Sequence, residues 1–300
     1  MGLEITPYGK GVRVLVRVYG IFGDPIEHSL SPLLHNVAFK VLEMNAVYLP
    51  FRVTAENLSG AVQAIRSLGL GGVNITIPHK QKVTAYLDHL QGDALLTGSV
   101  NTIVNKDGVL YGYSTDGDGL LLALEREAGF SPQGKKVLLL GAGGAARAVA
   151  FALVRAEAAE LCLVNRTLQR AEALAELIKE KTGFAVQSLS YEDSALAGYL
   201  GETDLVINAT SVGMYPQSGT APPLPLDKVN PACLVYDLVY RPPETELLKK
   251  AKKHGLKTLN GLGMLLYQGI LAFQHWTGVE PPEKPMRMVV EKFLETELKY

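Results

Sequence analysis

The chain has 300 residues, with 29 Lys and Arg against 30 Asp and Glu, which gives a formal net charge of −1. This balance excludes a broadly basic surface, so we expect no nucleic-acid partner and no electrostatic capture by a membrane. With 47% hydrophobic and 20% charged residues, the composition is that of a folded globular protein long enough for two domains.

Strands and helices alternate along the first third of the chain, which predicts a mainly parallel sheet covered by helices. The predicted strands are Val18–Phe22, Ala46–Phe51, Val73–Thr76 and Ser99–Val104. The predicted helices are Pro32–Met44, Ala55–Leu68 and His79–Leu87. Asp107-Gly108 indicates a hairpin turn before the run VLYGY. The segment that opens with Asp116 then begins a helix over Leu120–Ala128, which ends at Gly129.

A second series of strands and helices begins at Lys136. Its predicted strands are Val137–Leu140, Leu161–Val164, Ala185–Leu189, Leu205–Asn208, Leu234–Leu238 and Lys257–Leu259. Its predicted helices are Ala145–Arg155, Leu168–Lys181 and Glu244–Lys253, with an irregular proline-rich loop over Pro216–Pro231. The last part of the chain is helical only, over Met264–His275 and Lys284–Leu298. This order predicts two α/β units followed by a helical tail.

The apolar run Val137–Val154 has the length of a membrane span, but its GAGG segment and Arg147 instead predict a buried strand, a turn and a buried helix. The opening MGLEIT fits a loose myristoylation pattern without a second anchor, and no signal peptide is visible. Two cysteines, Cys162 and Cys233, exclude a disulfide framework or a cysteine-bound metal, and their apolar surroundings predict reduced core thiols. We therefore expect a cytoplasmic protein.

The segment LLLGAGGAARA, Leu138–Ala148, predicts a dinucleotide site. An apolar strand runs into Gly141, Gly143 and Gly144, and a helix of small residues follows directly. Glycines let a pyrophosphate approach the backbone and lie on the helix N-terminus, whose N–H groups and dipole favour an anion. A tight turn without a ligand is the plain alternative, but the flanking strand and helix favour the dinucleotide.

Two later segments indicate the identity of the cofactor. Asn165-Arg166-Thr167 follows the next strand, where an NAD site would carry an acid. A guanidinium at Arg166 pairs instead with a 2′-phosphate, which favours NADP(H), although a solvated arginine and a helix cap at Thr167 are the plain alternatives. The segment DLVINATSVGM, which ends at Met214, suits a loop beneath a nicotinamide.

Candidate proton donors and substrate contacts lie in loops of the first third. They are Ser29 and Ser31, then Asn74, Thr76 and Lys80, then Asn101, and finally Asp116. Each has a plain explanation: Ser31 before Pro32 predicts a helix cap, and Asp116 fits a turn. Lys80 is predicted in the first turn of a helix, where the dipole disfavours a cation, so an acid or a substrate is expected to hold it. No spacing predicts a metal site.

Taken together, these segments resemble the shikimate dehydrogenase family along nearly the whole chain. The matching motifs are HSLSP (28–32), NITIPHK (74–80), SVNTI (99–103), STDG (114–117), GAGGAARA (141–148), NRT (165–167), NATSVGM (208–214), YDLVYRPPETELL (236–248) and GLGMLLYQG (261–269). The resemblance implies reversible NADPH-dependent reduction of 3-dehydroshikimate to shikimate. It also implies a substrate domain over 1–118, completed by helices of 262–300, and a Rossmann-type NADP domain over 119–261.

The resemblance also implies roles for single residues. Lys80 would exchange a proton with the substrate and Asp116 would orient it; Ser29 and Ser31 would bind the substrate carboxylate. The substrate hydroxyls would be bound by Asn74, Asn101 and Gln268, with Thr76 and Tyr240 nearby. The cofactor would contact Gly141, Ala142, Gly143, Gly144, Ala145, Asn165, Arg166, Thr167, Thr210, Met214, Gly261 and Gly263. A cleft between the domains that closes on its small-molecule ligands is a further hypothesis.

Some features depart from the family or leave alternatives open. About fifteen N-terminal residues precede the family's first strand and could add an edge strand, and Ala146 stands where the family commonly has serine. A quinate/shikimate dehydrogenase with relaxed substrate or NAD use is the nearest alternative. A catalytically silent NADP- or shikimate-binding regulator is another, which the presence of both Lys80 and Asp116 disfavours. The sequence leaves the oligomeric state open, with a homodimer as one alternative.

Overall fold

Residues 16–297, which this computed structural model describes, form two six-stranded sheets with helices packed on their faces. The predicted N-terminal edge strand and Leu298, the predicted end of the last helix, lie outside the described residues. We refer to the first sheet and its helices as the first lobe, and to the second sheet and its helices as the second lobe.

The first sheet is mainly parallel and carries one hairpin. Its strands are β1 (Arg17–Gly23), β2 (Ala46–Arg52), β3 (Gly72–Ile75), β4 (His89–Leu90), β5 (Thr102–Lys106) and β6 (Val109–Tyr113). They are ordered β2-β1-β3-β5-β6-β4, and only β5 runs antiparallel to its neighbours. Asp107 and Gly108 have φ angles of 53° and 89°, as a two-residue hairpin turn requires, so the predicted hairpin is confirmed.

The second sheet is entirely parallel. Its strands are β7 (Lys136–Leu140), β8 (Glu160–Val164), β9 (Gln187–Leu189), β10 (Leu205–Asn208), β11 (Leu234–Asp237) and β12 (Lys257–Leu259). The order β12-β11-β10-β7-β8-β9 is that of a Rossmann dinucleotide-binding sheet. The order of strands along the chain reverses between β7 and β10, since β8 and β9 extend the sheet to one side of β7 and β10 to β12 extend it to the other. At such a point the helices on either side diverge and leave a crevice at the carboxyl ends of the strands.

Helices cover both sheets. They are α1 (Ser31–Val41), α2 (Leu58–Ser67), α3 (Asp93–Thr97), α4 (Asp116–Ala128), α5 (Gly144–Arg155), α6 (Leu168–Thr182), α7 (Ala195–Glu202), α8 (Glu246–Lys253), α9 (Leu262–Thr277) and α10 (Glu283–Glu297). None of the helices described between residues 16 and 297 is long and apolar enough to cross a membrane. Cys162 and Cys233 are buried and unpaired, and burial raises the pKa of both thiols to about 12.

The last two helices return to the first lobe. Helices α9 and α10 both pack against α1. Trp276 of α9 donates its indole N–H to the Ile103 carbonyl of β5 at 2.9 Å, and its ring lies 5.2 Å from that of Tyr19 in β1. These contacts bury the apolar face of α9 on the first sheet, so the C-terminal helices complete the core of the first lobe.

Helix α4 lies between α5 and α9 because two glycines in its first turn have no side chains. A Cβ on Gly117 would lie 2.7 Å from the Cβ of Ala152 on α5. A Cβ on Gly119 would lie 2.8 Å from the backbone nitrogen of Gln268 on α9. Only glycine permits backbones to approach this closely. Asp116, the first residue of α4, is therefore fixed relative to both neighbouring helices.

Several predicted elements differ from the structure. The predicted helix His79–Leu87 is wrong in extent, since only a short 3-10 turn forms over Lys82–Tyr86. The preceding segment follows the sheet instead, because the Lys80 carbonyl accepts a 2.8 Å hydrogen bond from the Val100 amide. Three short elements, β4, α3 and α7, were not predicted, because so few residues carry no clear periodicity.

Gly119→Ala is expected to destabilise the protein by about 1–3 kcal/mol, because the added methyl group forces α4 away from the backbone of α9. Gly60→Ala is the matched control: Gly60 lies in α2 with no atom within 4 Å of the added methyl group, and alanine favours helix there. Urea unfolding of both variants measures the difference. Equal stability of the two would contradict the packing assigned to Gly119.

Candidate active site

The centre of the site is an ion pair between Lys80 and Asp116. Lys80 lies in the loop after β3, and Asp116 begins α4. The Lys80 ammonium Nζ donates to Asp116 Oδ2, and the two side chains are only 16% and 7% exposed. The structure thus brings together the two predicted catalytic residues, which are 36 positions apart along the chain.

Asn101 holds the other oxygen of the Asp116 carboxylate. Its amide nitrogen Nδ2 donates to Asp116 Oδ1 at 2.9 Å and also lies 2.9 Å from Thr115 Oγ1 and 3.2 Å from Gln268 Oε1. Its Oδ1 accepts from the Thr115 backbone amide at 2.8 Å. Rotation of this buried amide would break several hydrogen bonds at once, so Asn101 fixes the carboxylate that holds Lys80.

The polar network continues from Asn101 to the start of α1. Asn74 Nδ2 donates to the Asn101 carbonyl at 3.0 Å, and Asn74 Oδ1 accepts from the Tyr48 hydroxyl at 2.7 Å. Burial raises the pKa of Tyr48 far above its ordinary value, and a hydrogen bond with Ser31 opposes that shift. Tyr48 is therefore a neutral phenol. Hydrogen bonds thus connect Tyr48 through Asn74 to Asn101, which holds the carboxylate partner of Lys80.

Three predicted substrate residues lie outside this chain of hydrogen bonds. Ser29 Oγ accepts from the Ser31 backbone amide at 3.3 Å, so the two serines are adjacent. Thr76 is half-buried, and its backbone amide donates to the Phe22 carbonyl at 3.0 Å. Tyr240 is half-buried beyond β11, and burial raises its pKa. Among residues 16–297, no hydrogen bond joins the side chains of Thr76 or Tyr240 to the network.

Two local predictions are wrong. Helix α1 begins at Ser31 itself, with Leu30 in the capping position, and no side chain caps it. Ser31 is therefore available to Tyr48 rather than used as a cap. Lys80 precedes the 3-10 turn and is not in the first turn of a helix, so no helix dipole disfavours it. Its partner Asp116 occupies such a first turn, where the dipole stabilises the carboxylate.

His35 lies beneath the network, one turn along α1 from Ser31. It is fully buried, and its ring stacks on that of Tyr48 with centroids 4.5 Å apart. Burial lowers the pKa of His35 from 6.5 to about 3, with a smaller opposing contribution from Asn74. The ring is therefore neutral at physiological pH and forms part of the apolar floor of the site.

The glycine turn after β7 reaches the ion pair from the second lobe. Gly141 has φ of 107°, and a Cβ there would lie 3.2 Å from the Ala209 carbonyl, so glycine is required. A Cβ at Gly143 would meet no atom within 4 Å, which leaves open space before the first turn of α5. A Cβ at Gly144 would lie 3.6 Å from Lys80 Cδ. The predicted phosphate turn and the predicted proton donor are therefore close together.

The residues of this crevice fit a dinucleotide. Ala142, Gly143, Gly144 and Ala145 are all partly or fully exposed, and the first N–H groups of a helix have no acceptors within it. An anion in the open space before α5 would accept hydrogen bonds from those N–H groups. The sequence prediction of a phosphate turn thus fits the geometry of the turn.

Unpaired cations lie at the end of β8, at the second predicted cofactor segment. Arg166 is exposed and forms no ion pair with any residue between 16 and 297. Thr167 occupies the cap position of α6, although its side chain does not cap the helix, and its carbonyl accepts from Asn165 Nδ2 at 2.8 Å. Arg170, in the first turn of α6, is likewise exposed without an ion pair in the described chain. Free cations in this place suit a phosphate.

The remaining predicted cofactor residues lie around the same crevice or behind it. Thr210 follows β10, where its methyl group would lie 3.2 Å from a Cβ on Gly141, and Met214 is 42% exposed. Gly261 and Gly263 are both buried. A Cβ on Gly261 would meet the Leu238 carbonyl, and one on Gly263 would lie 2.5 Å from the Glu127 carboxylate. Close packing alone therefore accounts for these two glycines.

Arg147 connects the two lobes. It lies near the start of α5, and its Nη1 donates to the Thr97 carbonyl at the end of α3, at 3.0 Å. Burial lowers the pKa of Arg147. The sequence singled out Arg147 only as an interruption of an apolar run; the structure shows that it joins the cofactor-side helix to the segment before Asn101.

Sequence reasoning missed three residues of the site. Tyr48 lies in an ordinary strand pattern and carries no signal of its own. Thr115 Oγ1 donates to the Gln268 carbonyl at 3.0 Å, and only its place beside Asp116 in the STDG motif could have drawn attention to it. Arg170 could have been found from its spacing, since it lies four positions after Arg166, in the first turn of α6.

The arrangement can supply a proton beside a dinucleotide crevice. A held ammonium both donates a proton and stabilises negative charge that develops on a nearby oxygen. Among residues 16–297, no group of three or more His, Cys, Asp or Glu side chains is placed to hold a metal ion.

Family models match three stretches of the chain. They are the shikimate dehydrogenase substrate binding domain over residues 21–103, shikimate / quinate 5-dehydrogenase over 123–215, and the shikimate 5'-dehydrogenase C-terminal domain over 261–291. The shikimate dehydrogenase (NADP(+)) of Desulforamulus reducens is 48% identical over 276 residues, which cover 92% of this chain and 95% of that protein.

Solved structures agree with these matches. A shikimate dehydrogenase in complex with NADP+ has a TM-score of 0.88 and 43% identity, covering 96% of this chain and 99% of its own. The Thermus thermophilus shikimate 5-dehydrogenase in complex with NADP(H) and shikimate has a TM-score of 0.82 and 38% identity, covering 92% of this chain and 99% of its own.

The buried His35 generates a prediction about pH. Because its pKa is about 3 in the folded chain and 6.5 ordinarily, the unfolded chain binds more protons between these values. Stability should therefore fall as pH drops below 6.5, by up to about 1.4 kcal/mol per pH unit from this residue. His35→Phe keeps the stacking and removes the titration, so urea unfolding at pH 7, 6 and 5 should show a shallower loss. An unchanged slope would contradict this account.

Proposed function

This chain belongs to the shikimate dehydrogenase (NADP+) family, and we propose that Lys80 and Asp116 handle the proton in its reaction. The reaction is the reversible NADPH-dependent reduction of 3-dehydroshikimate to shikimate, in aromatic amino-acid biosynthesis. The observation that carries the residue assignment is the buried Lys80–Asp116 pair, whose lysine lies beside the glycine turn.

Lys80 acts on the oxygen of the reacting carbon. NADPH, when bound, supplies the hydride that converts the ring ketone to an alcohol. The Lys80 ammonium stabilises the negative charge that develops on the ketone oxygen and donates the proton that completes the hydroxyl. In the reverse direction Lys80 takes that proton back. Asp116 holds the ammonium through Oδ2, and Asn101 holds Asp116 through Oδ1, so the donor needs little reorganisation.

The substrate carboxylate binds at the start of α1. Ser29 and Ser31 present neutral hydroxyl donors there, where the helix dipole favours an anion. With the carboxylate held there, the ring extends towards Asn74 and Asn101, whose side chains are hydrogen-bonded in a network that ends at Asp116 and Lys80. The carboxylate thus fixes the end of the ring that is remote from Lys80.

The ring hydroxyls bind the amides of the network. Three oxygens lie within reach of the two hydrogens of Asn101 Nδ2, and Gln268 Oε1 is the most distant of them at 3.2 Å. When a substrate hydroxyl replaces the contact between Asn101 and Gln268, the side-chain amides of both residues can hydrogen-bond the substrate. Asn74 offers the second lone pair of its Oδ1, and Thr76 and Tyr240 lie beside the ring.

The cofactor residues follow the crevice. Gly141, Ala142, Gly143, Gly144 and Ala145 hold the pyrophosphate, and Asn165, Arg166 and Thr167 hold the adenosine with its 2′-phosphate. Thr210, Met214, Gly261 and Gly263 lie around the nicotinamide. The exposed and unpaired guanidinium of Arg166 supports NADP(H) over NAD(H).

The proposed domain limits separate most of the substrate-binding residues from most of the cofactor-binding residues. Residues 1–118 with 262–300 form the substrate domain, and residues 119–261 form the cofactor domain; the return of α9 and α10 to the first lobe supports this division. A cytoplasmic location and a homodimer stay predictions. Size-exclusion chromatography with light scattering decides the oligomeric state.

The proposed function is tested by initial rates with shikimate or quinate and with NADP+ or NAD+, followed by absorbance of the reduced nicotinamide. Shikimate with NADP+ should be the fastest combination. One matched family model is described as shikimate / quinate 5-dehydrogenase, so quinate is the necessary comparison. Faster turnover of quinate with NAD+ would replace the proposed function with that alternative, and no turnover at all would favour a regulator.

Arg166→Ala should raise the KM for NADP+ roughly tenfold to a hundredfold and leave that for NAD+ unchanged, since a charge-assisted hydrogen bond contributes about 1.5–3 kcal/mol. Lys179→Ala, at the far end of α6, removes an exposed cation from the same helix and serves as the control. If Arg166→Ala affects both cofactors equally, the 2′-phosphate assignment is wrong.

Lys80→Met should lower kcat by about 10²–10⁴-fold while the dissociation constant for shikimate changes little, because only the proton donor is lost. Asp116→Asn should lower kcat less, since Lys80 remains but is poorly oriented. Lys82→Met, an exposed lysine two positions later, should have no effect. Steady-state rates and calorimetric titration with shikimate measure these quantities. A near-normal kcat for Lys80→Met would remove Lys80 from the mechanism.

A further inference from the structure

A buried carboxylate lies at the crevice without any counter-charge. Asp237 ends β11 and is 0% exposed, and no lysine, arginine or histidine among residues 16–297 forms an ion pair with it. Burial raises its pKa, although three hydrogen bonds oppose the shift. A buried acid without a cation costs stability, so its position at the carboxyl edge of a dinucleotide-binding sheet calls for an explanation.

Three donors surround the Asp237 carboxylate and divide between its oxygens. Oδ1 accepts from Asn208 Nδ2 at 2.9 Å and from the Val239 backbone amide at 3.1 Å. Oδ2 accepts from Thr245 Oγ1 at 2.6 Å. Thr245 also caps α8, since its Oγ1 accepts from the Leu248 amide at 3.3 Å. The carboxylate thus joins the end of β10 to the start of α8.

Two contacts of the Asn208 NH2 determine which way its amide faces: it donates to Asp237 Oδ1 at 2.9 Å and, at the longer distance of 3.3 Å, to the Val212 carbonyl. Because a carboxylate only accepts hydrogen bonds, the Asn208 NH2 must point to Asp237 and its Oδ1 must point away. That Oδ1 accepts from the Thr210 amide at 3.1 Å and from Thr210 Oγ1 at 2.6 Å. Thr210 Oγ1 in turn accepts from the Val212 amide at 3.2 Å. The orientation of one buried amide therefore shapes the loop over residues 209–214.

We propose that Asp237 is a positioning residue for the dinucleotide: it fixes the Asn208 amide and thereby holds the 209–214 loop in the conformation that receives the nicotinamide end. This inference rests on the proposed function, which places Thr210 and Met214 at the nicotinamide. Asp237 contacts neither ligand. It acts through Asn208, and the capping of α8 by Thr245 is a separate role at the other oxygen of the carboxylate.

The experiment compares Asp237→Ala, Asp237→Asn and Thr245→Val with the wild type. NADPH dissociation constants come from fluorescence titration without turnover, and KM values, kcat and thermal midpoints are measured alongside. Asp237→Ala removes the shorter contact of the Asn208 NH2 and leaves only the 3.3 Å contact with the Val212 carbonyl, so the dissociation constant and the KM for NADPH should rise roughly tenfold or more, with the KM for 3-dehydroshikimate nearly unchanged. Asp237→Asn can still accept from Asn208 and donate to Thr245, so it should bind NADPH within about threefold of wild type.

Thr245→Val separates positioning from stability. It removes the helix cap and one hydrogen bond to the carboxylate, but leaves the Asn208 contact at Oδ1. Its thermal midpoint should fall while its NADPH dissociation constant stays near that of wild type. If Thr245→Val weakens NADPH binding as much as Asp237→Ala does, or if Asp237→Asn is as defective as Asp237→Ala, the inference is wrong.

Asn208→Asp tests the inference if Asp237→Ala does not fold. It keeps the acceptor for Thr210 but places a second carboxylate 2.9 Å from Asp237, so the pair must share a proton to stay together. NADPH binding by this variant should weaken from pH 6 to pH 8 roughly tenfold more than wild-type binding does. Wild-type binding at pH 8 would overturn the inference. A wild-type chain that binds no NADPH would instead overturn the proposed function.

Discussion

The site depends on one constraint, which is that the Asp116 carboxylate is held from two directions. Lys80 donates to one of its oxygens and Asn101 to the other, and both partners come from loops at the end of the first sheet. Withdrawing a charge pair from water is costly unless its remaining polar positions are satisfied. Here Asn101 supplies the second hydrogen bond of the carboxylate and is itself held through Asn74 and Thr115, so the ammonium stays directed within a mostly buried site.

The packing of the helices brings the two halves of the chemistry together. Helix α4 carries Asp116 and lies between α5 and α9, at distances that its glycines permit. Helix α5 begins at the phosphate turn, and Arg147 anchors it to the first lobe at the Thr97 carbonyl. As a result Gly144 lies against the Lys80 side chain. The proposed cofactor turn is thus set relative to the proposed proton donor by helix packing, rather than by a flexible connection.

Local signals were enough to predict the sheets and the Asp107-Gly108 hairpin, and the motifs were enough to indicate the family. What they missed depends on tertiary contacts. Tyr48 belongs to the network because β2 lies beside β1, which brings its hydroxyl to Asn74, and nothing in the strand AVYLPFR signals this. The predicted helix at Lys80 failed because the segment is hydrogen-bonded to Val100, and the predicted cap at Ser31 failed because α1 begins one residue earlier than such a cap requires. The convergence of Lys80 and Asp116 could be expected only from the family resemblance, since periodicity carries no information about which loops meet.

The central claim is that Lys80, oriented by Asp116, exchanges the proton of the reacting hydroxyl. A crystal structure of the chain with shikimate and NADP+ tests it most directly. The account predicts that Lys80 Nζ lies within roughly 3.2 Å of the hydroxyl oxygen on the carbon that faces the nicotinamide, with its contact to Asp116 kept. A complex in which another side chain or a water occupies that position, with Nζ turned away from the ring, would contradict it.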